Sequence, residues 1–292
     1  LQLAVQGKLT ANWRKQRRLS GAEAEAEVEP ASELLKRIAA EKQKLIEDKK
    51  IRKEKPLPEI TEDDLPVGET GKPFALPDGW EWCRFMQIFD IRDGTHDSPK
   101  DSSEPNSFPL ITSRNFKDGK IDFKSARRIS EDDYFKVIKR SKVHKGDMLF
   151  SMIGGNIGNQ VEVGDFTDYA IKNVALFKHY KSGIPAKGFL KFYCQFIAMN
   201  LQNQASGGAQ PFVSLKYFRN LIIGLPSLEE QKAIVKIVDA LMAECDALER
   251  EIEQRDTLIE DLMSSCLHEM EDKNSSNDLE ELRMVAESGE KY

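Results

Sequence analysis

The stretch "PSLEEQKAIVKIVDALMAECDALEREIEQRDTLIEDLMSSCLHEM", residues 226–270, constrains the fold more than any other part of the chain. Ile234, Val238, Leu241, Cys245, Leu248, Ile252, Arg255, Ile259, Leu262 and Cys266 follow one another in alternating steps of four and three, the period of a coiled-coil seam. Ser227 with Glu230, just after Pro226, has the capping-box pattern that starts a helix. A helix of ~40 residues is ~60 Å long, more than one globular core covers, so the seam needs a second helix beside it. The spacing predicts a long helix over 226–271 and a frayed, flexible tail over 272–292.

Upstream, the pattern is interrupted. Leu1 and Val5 share a helical face that stops at Gly7, so residues 1–19 read as the end of a helical segment. The low-complexity run "SGAEAEAEVEP" (20–30) reads as a linker. Residues 31–55 carry Leu34, Leu35, Ile38, Leu45 and Ile46 at helical intervals, a narrow stripe that ends before Pro56 and Pro58 and only partly matches the seam. A second linker follows over 56–75. From 76 to 225 the chain turns to short strand-like runs, "FPLITSRNF", "GKIDF", "GDMLFSMI", "NQVEV" and "NVALFKHY", divided by Gly, Pro, Asn and Asp. Gly154, Gly155 and Asn156 supply a hairpin turn, and "AKGFLKFYCQFIAMNLQNQA" returns to helical spacing. The expected class is α+β: one domain with a mixed or antiparallel sheet, a shorter helical segment before it and a long coiled-coil-type helix after it.

Charge is divided along the same boundaries. The net charge of −6 conceals 15 basic and 15 acidic residues in 1–79, 21 and 15 in 80–225, and 7 and 19 in 226–292. Most of the central excess lies between Arg114 and Lys145, which points to a local surface for a polyanion. No apolar run approaches the ~20 residues of a membrane helix and the N-terminus lacks signal-peptide regions, so no membrane is expected and the expected compartment is cytoplasm. Cys83, Cys194, Cys245 and Cys266 show no zinc-site spacing and are expected to be reduced and mostly buried.

Catalysis finds no support in the motifs. His96 and Asp97 in "RDGTHDSPK" are adjacent in a loop, where neighbouring side chains point apart, and no nucleophile-elbow serine or cysteine accompanies them. "IGGNIG" (153–158) lacks the Lys-Ser/Thr of a phosphate loop and precedes a strand. No Asn/Asp-Pro-Pro-aromatic tetrapeptide or carboxylate cluster suits base methylation or magnesium-dependent cleavage. Binding is better served. Thr95, His96, Asp97, Ser98 and Lys100 in one loop, Thr112, Ser113, Arg114, Asn115 and Lys117 in another, and Arg127 and Arg128 offer groups suited to base edges and phosphates. Gly207, Gly208 and Gln210 add a segment where backbone can approach a ligand closely.

These motifs, taken in order, resemble the specificity subunit of type I restriction-modification enzymes. "LQLAVQGKLTANWR" is similar to the end of that family's helical spacer, "PASELLKRIAAEKQKL" to the connector after it and "LPDGWEW" to the opening of its target-recognition domain. "DGTHDSP", "LITSRNFKDGKID" with "ISEDDY", and "KGDMLFSMIGGNIG" resemble the domain's interior, and "GGAQPFVSLKYFRNLIIGLPSLEEQKAIV" resembles its exit into the long helix. The resemblance implies a non-catalytic chain that reads one half of a split double-stranded DNA target. It implies methyltransferase subunits docked on the long helices, an adenine-methylating complex and a restriction and motor subunit. S-adenosylmethionine, ATP and magnesium then sit on those partners, with no cofactor in this chain. Family members contain two recognition domains and this sequence contains one, so it reads as the C-terminal half of a subunit, or as a half-length subunit that pairs with a second copy. The alternative is a structural adaptor or decoy chain that binds the methyltransferase without reading DNA.

Overall fold

In the stretch Met148–Ser151 every residue is buried, a pattern that requires a strand covered on both faces. The computed structural model describes residues 1–19, 28–55, 57–67, 74–181, 184–205 and 212–288, and there this stretch is an inner strand of an antiparallel sheet. In chain order the helices α1 (Gln2–Val5), α2 (Ala11–Leu19) and α3 (Ala31–Glu47) come first. Then follow β1 (Glu81–Arg84), α4 (Phe85–Ile88), β2 (Phe89–Asp93), β3 (Phe108–Ile111), β4 (Phe116–Lys117), β5 (Lys120–Ile121) and β6 (Arg127–Ile129). After them come α5 (Glu131–Ser141), β7 (Met148–Ser151), β8 (Gln160–Glu162), β9 (Ala170–Ile171) and β10 (Val174–His179). The chain closes with α6 (Phe189–Ala205), α7 (Leu215–Asn220), β11 (Ile222–Leu225) and α8 (Leu228–Ser288). Two compact units result, Leu1–Val238 and Asp239–Tyr292.

In the first unit the central sheet has the order β2-β10-β7-β8, antiparallel throughout. Side chains alternate between its faces with a period of two. Met148, Phe150, Ala175 and Phe177 therefore enter a large aromatic core with Phe85, Phe89, Phe189, Tyr193 and Phe218. Leu149, Val174 and Leu176 enter a second core with Ile111, Val161, Tyr169 and Ile171. Full burial of each large apolar side chain stabilises the fold by about 1.5–3 kcal/mol. A smaller mixed sheet pairs β3 with β6 antiparallel and with β9 parallel. The α+β class with mixed and antiparallel sheets is as the sequence predicts, including the β7–β8 hairpin turned at Gly154–Asn156. β1 pairs with β11, Glu81 opposite Leu225, so the domain's first and last strands clasp each other.

Several boundaries differ from the sequence reading. α3 stops at Glu47 rather than near 55: Lys49 N–H donates to Ile46 O at 3.0 Å and Lys50 N–H to Leu45 O at 2.9 Å, a Schellman cap with Lys49 left-handed at φ 57°. The cap turns the chain so that Ile51 packs, with Leu45, on the same aromatic core that buries Leu34 and Ile38. That stripe is therefore spent on the first unit. Part of the expected 56–75 linker is also fixed to the domain, because buried Arg84 donates to Pro58 O at 3.4 Å and pairs with Asp64 at 3.6 Å. α8 continues to Ser288, through a stretch with neither Gly nor Pro, where a flexible tail was expected. The 20–27 part of the first linker lies outside the described residues. Of the four cysteines, Cys83 and Cys194 are buried, with thiols pushed up by burial, while Cys245 and Cys266 are exposed.

The start of α8 is not seam but core. Ile234 and Val238 are buried in the first unit, which removes them from the expected coiled-coil contact, whereas Leu241, Leu248, Ile252, Ile259 and Leu262 are exposed. The Ser227 hydroxyl caps the helix by accepting from Glu230 N–H at 3.2 Å. The Glu230 side chain does not complete a capping box. Its carboxylate instead accepts from Thr10 Oγ1 at 2.6 Å, Trp80 Nε1 at 2.8 Å and the Arg14 guanidinium, joining the N-terminal segment, the start of the domain and the long helix at one buried point.

Candidate nucleic-acid interface

Because β3 and β9 run parallel, the residues just beyond them emerge side by side: Lys172 N–H donates to Ile111 O at 2.9 Å, next to the turn at Thr112. The loop after β2 joins the same row. Gly94 N–H donates to Val174 O at 3.0 Å, Thr95 N–H to Ile171 O at 2.9 Å and Asn173 N–H to Thr95 O at 3.2 Å. Gly94 has no room for a side chain, since a Cβ there would lie 2.5 Å from Ile171 O and 2.6 Å from its carbonyl carbon. Loops 95–98, 112–115 and 172–173, far apart in sequence, thus form one surface; the sequence singles out the first two as separate candidate loops and does not single out the third.

His96 is exposed, yet both ring nitrogens are occupied, Nε2 with Asp93 Oδ2 at 2.9 Å and Nδ1 with Asn173 Oδ1 at 3.1 Å. The buried Asp93 carboxylate also takes Arg140 from the end of α5. His96 is consequently a positioning residue that ties β2, α5 and the Asn173 turn together. Ser98 Oγ accepts from Lys172 Nζ, and Thr95 Oγ1 accepts from Asp97 N–H at 3.1 Å. Among the described residues the Asp97 carboxylate and the Lys100 ammonium have no partner and face solvent.

In the second loop the expected readers divide into two kinds. Asn115 is buried, accepts from Thr112 N–H at 2.9 Å and from Thr112 Oγ1 at 3.1 Å, and donates to Ser125 Oγ at 3.2 Å; Thr112 and Asn115 thus build the turn, and burial leaves the Asn115 side chain little surface for the contact expected of it. The half-buried Ser113 and the exposed Arg114 take no part in these side-chain bonds, and Arg114 has no side-chain partner among the described residues. Lys117 is likewise committed: its ammonium, 2.5 Å from Asp122, with the Ser125 hydroxyl, holds that carboxyl down to about 2 and closes the β4–β5 hairpin. Arg127 pairs with Asp101 at 2.5 Å and donates to Pro99 O at 3.1 Å, and Arg128 donates to Ser107 Oγ at 2.8 Å. Both arginines brace the 99–107 loop, a role that local sequence does not show. Gly207, Gly208 and Gln210 lie outside the described residues.

Sequence reasoning missed Asp93, Arg140, Lys172 and Asn173. Asn173 left a weak signal, because asparagine tolerates the left-handed φ of 55° found there; the others depend on pairing across 30 residues or more. Among the described residues no His, Cys, Asp and Glu cluster suits a metal ion, and no helix is long and apolar enough to cross a membrane.

The specificity subunit of the EcoAI type I restriction enzyme of Escherichia coli is 30% identical over 254 residues, covering 85% of this chain and 39% of that protein. The EcoEI specificity subunit of the same species is 30% identical over 295 residues, covering 91% and 42%. The chain therefore spans about two-fifths of the length of these relatives. Among solved structures, the HsdS subunit from Thermoanaerobacter tengcongensis aligns with 21% identity and a TM-score of 0.47, covering 84% of this chain and 50% of that one. Both relatives are named specificity subunits of type I restriction enzymes. A family model described as the type I restriction modification DNA specificity domain matches residues 77–255, which takes in the three loops and the start of α8, and the chain belongs to that family.

Proposed function

We propose that the first unit reads one half of a bipartite double-stranded DNA target and that the chain acts as the address-giving, non-catalytic part of a type I restriction-modification complex. The observation that carries this reading is the convergence of loops 95–98, 112–115 and 172–173 with Asp97, Lys100, Ser113 and Arg114 left unpaired at the surface. Arginine suits guanine edges and serine accepts or donates to any base, while lysine suits phosphates. The exposed apolar positions Leu241, Leu248, Ile252, Ile259 and Leu262 of the second unit serve as the docking stripe for a helix of the methyltransferase subunit or of another specificity half, including a second copy of this chain. S-adenosylmethionine, ATP and magnesium belong to the methyltransferase and motor subunits in this scheme.

The test is adenine-methylation mapping in cells carrying the methyltransferase partner, with wild-type chain, without it, and with Arg114→Glu. The expected result is a discrete set of methylated sites that vanishes without the chain and is relaxed or lost with Arg114→Glu, a change equivalent to about 1–3 kcal/mol at one base pair. Methylation unaffected by the substitution at Arg114 and by Lys100→Glu made with it favours a structural adaptor instead. Arg127 and Arg128 are unsuitable for this test, because removing either also releases the loop it braces.

A further inference from the structure

Beside the reading loops the first unit contains a cleft of about 580 Å³ between the end of α3, β2, the end of α5 and α7. Eight lysines and arginines line it against three carboxylates. Each of those carboxylates is already held: Glu54 by Lys42 at 2.7 Å, Asp90 by Arg92 at 2.6 Å and Asp93 by Arg140. Lys49, Arg52 and Lys139 are exposed and, among the described residues, their side chains make no hydrogen bond or ion pair. Arg219 donates one guanidinium N–H to Ile91 O at 3.1 Å, but its buried Nε has no partner. Such an excess of cations in a concave surface raises the local concentration of anions.

Two further observations set the kind of anion. Asp93 belongs to both places, with Oδ1 toward Arg140 in the cleft and Oδ2 toward His96 in the reading loop, so the cleft begins where the reading surface ends. Lys49 occupies the left-handed cap position of α3, where glycine would be less strained, and yet presents a free ammonium there.

We propose that this cleft holds the sugar-phosphate backbone of the DNA that flanks the bases read by the loops, with Lys49, Arg52 and Lys139 as its phosphate contacts; the inference rests on the DNA reading above. A phosphodiester strand, with single charges spread along it, suits a cleft that also contains Glu54, Asp90 and Asp93. A compact polyphosphate would set its whole charge against those acids.

The experiment uses the full chain and the triple variant Lys49→Gly, Arg52→Gln, Lys139→Gln. Lys49→Gly relieves the left-handed strain and the other two positions are exposed, so the fold is kept. Binding to a random-sequence duplex of about 30 base pairs is measured at several salt concentrations, and sodium tripolyphosphate is titrated separately. Each lost phosphate contact flattens the slope of log affinity against log salt by about 0.9, so the variant is expected to lose about 2–3 from the slope. Tripolyphosphate is expected to bind both proteins weakly and alike. An unchanged slope overturns the assignment, and so does tight tripolyphosphate binding that the variant loses while its duplex slope stays the same. Sequence preference distinguishes the two proposals. A wild-type chain that binds all duplexes equally, with the slope still flattened in the variant, removes the reading and leaves the cleft. Retained preference with an unchanged slope does the reverse.

Discussion

Replacing Glu230 by alanine should be among the most damaging single changes available in this chain, although its neighbours in sequence look like ordinary positions on a charged helix. Its carboxylate is nearly inaccessible, with 4% side-chain exposure, and it receives hydrogen bonds from Thr10, Trp80 and Arg14. Removing one partner of a buried ion pair costs about 3–5 kcal/mol, because the other charge is left uncompensated. Arg14 softens the loss: its side chain is 19% exposed and it keeps bonds to Gly7 O at 2.6 Å and to Thr10 Oγ1 at 3.1 Å. The unpaired Trp80 N–H works in the opposite direction, at about 1–3 kcal/mol for an orphaned buried donor. Because these contributions overlap, the expected loss is about 3–4 kcal/mol, or roughly 6–16 °C in midpoint temperature at about 2–4 °C per kcal/mol. Urea unfolding followed by tryptophan fluorescence measures it, with Trp80 as a reporter at the site. The double variant Arg14→Met, Glu230→Leu should recover much of the loss, since no charge is then stranded. A loss under about 1 kcal/mol for Glu230→Ala, or a double variant worse than the single, would show that this junction is not held by the buried carboxylate.

Gly94→Ala places a Cβ against the backbone of Ile171, which cannot yield as a side chain does; a loss of about 1–3 kcal/mol and weaker DNA binding are expected, and wild-type values in both would refute the packing of the three loops. Leu248→Lys with Ile252→Lys should abolish co-purification with the methyltransferase subunit and leave the unfolding of the first unit unchanged, because both residues are exposed in the second unit. Stability should decline as pH falls below about 6.5. Burial holds the imidazoles of His144 and His179 below that ordinary value, reinforced at His144 by the Lys178 charge and opposed at His179 by Asp147. The unfolded chain takes up those protons more readily, so the histidines' contribution is full above pH 6.5 and diminishes below it; His144→Gln and His179→Gln should flatten the profile, which urea titrations at a series of pH values would read.

Much of the plan was legible because it is written in local periods. The four-three spacing of 234–262 gives a long helix whatever surrounds it, and the Gly- and Asn-divided apolar runs give short strands and the β7–β8 hairpin. The loops at 95–98 and 112–115 were visible for the same reason, as clusters of short polar residues between such runs. The division of labour within them was not visible. Arg114 and Arg127 have the same chemistry in sequence, but only Arg127 has Asp101 and the Pro99 carbonyl within reach. Ile234 and Leu248 occupy equivalent positions in the seam, but the first falls under the aromatic core and the second does not.

The sequence by itself determined the helix and strand content, the basic middle and acidic end, and the ordered motifs of a specificity domain, since each depends on residues close together in the chain. Only the tertiary structure decided which polar groups are spent and which remain free. The pairing of Asp93 with Arg140, of Lys172 with Ser98 and of Glu230 with Arg14 joins residues separated by 47 to 216 positions, and such contacts are set by the packing of sheets and helices.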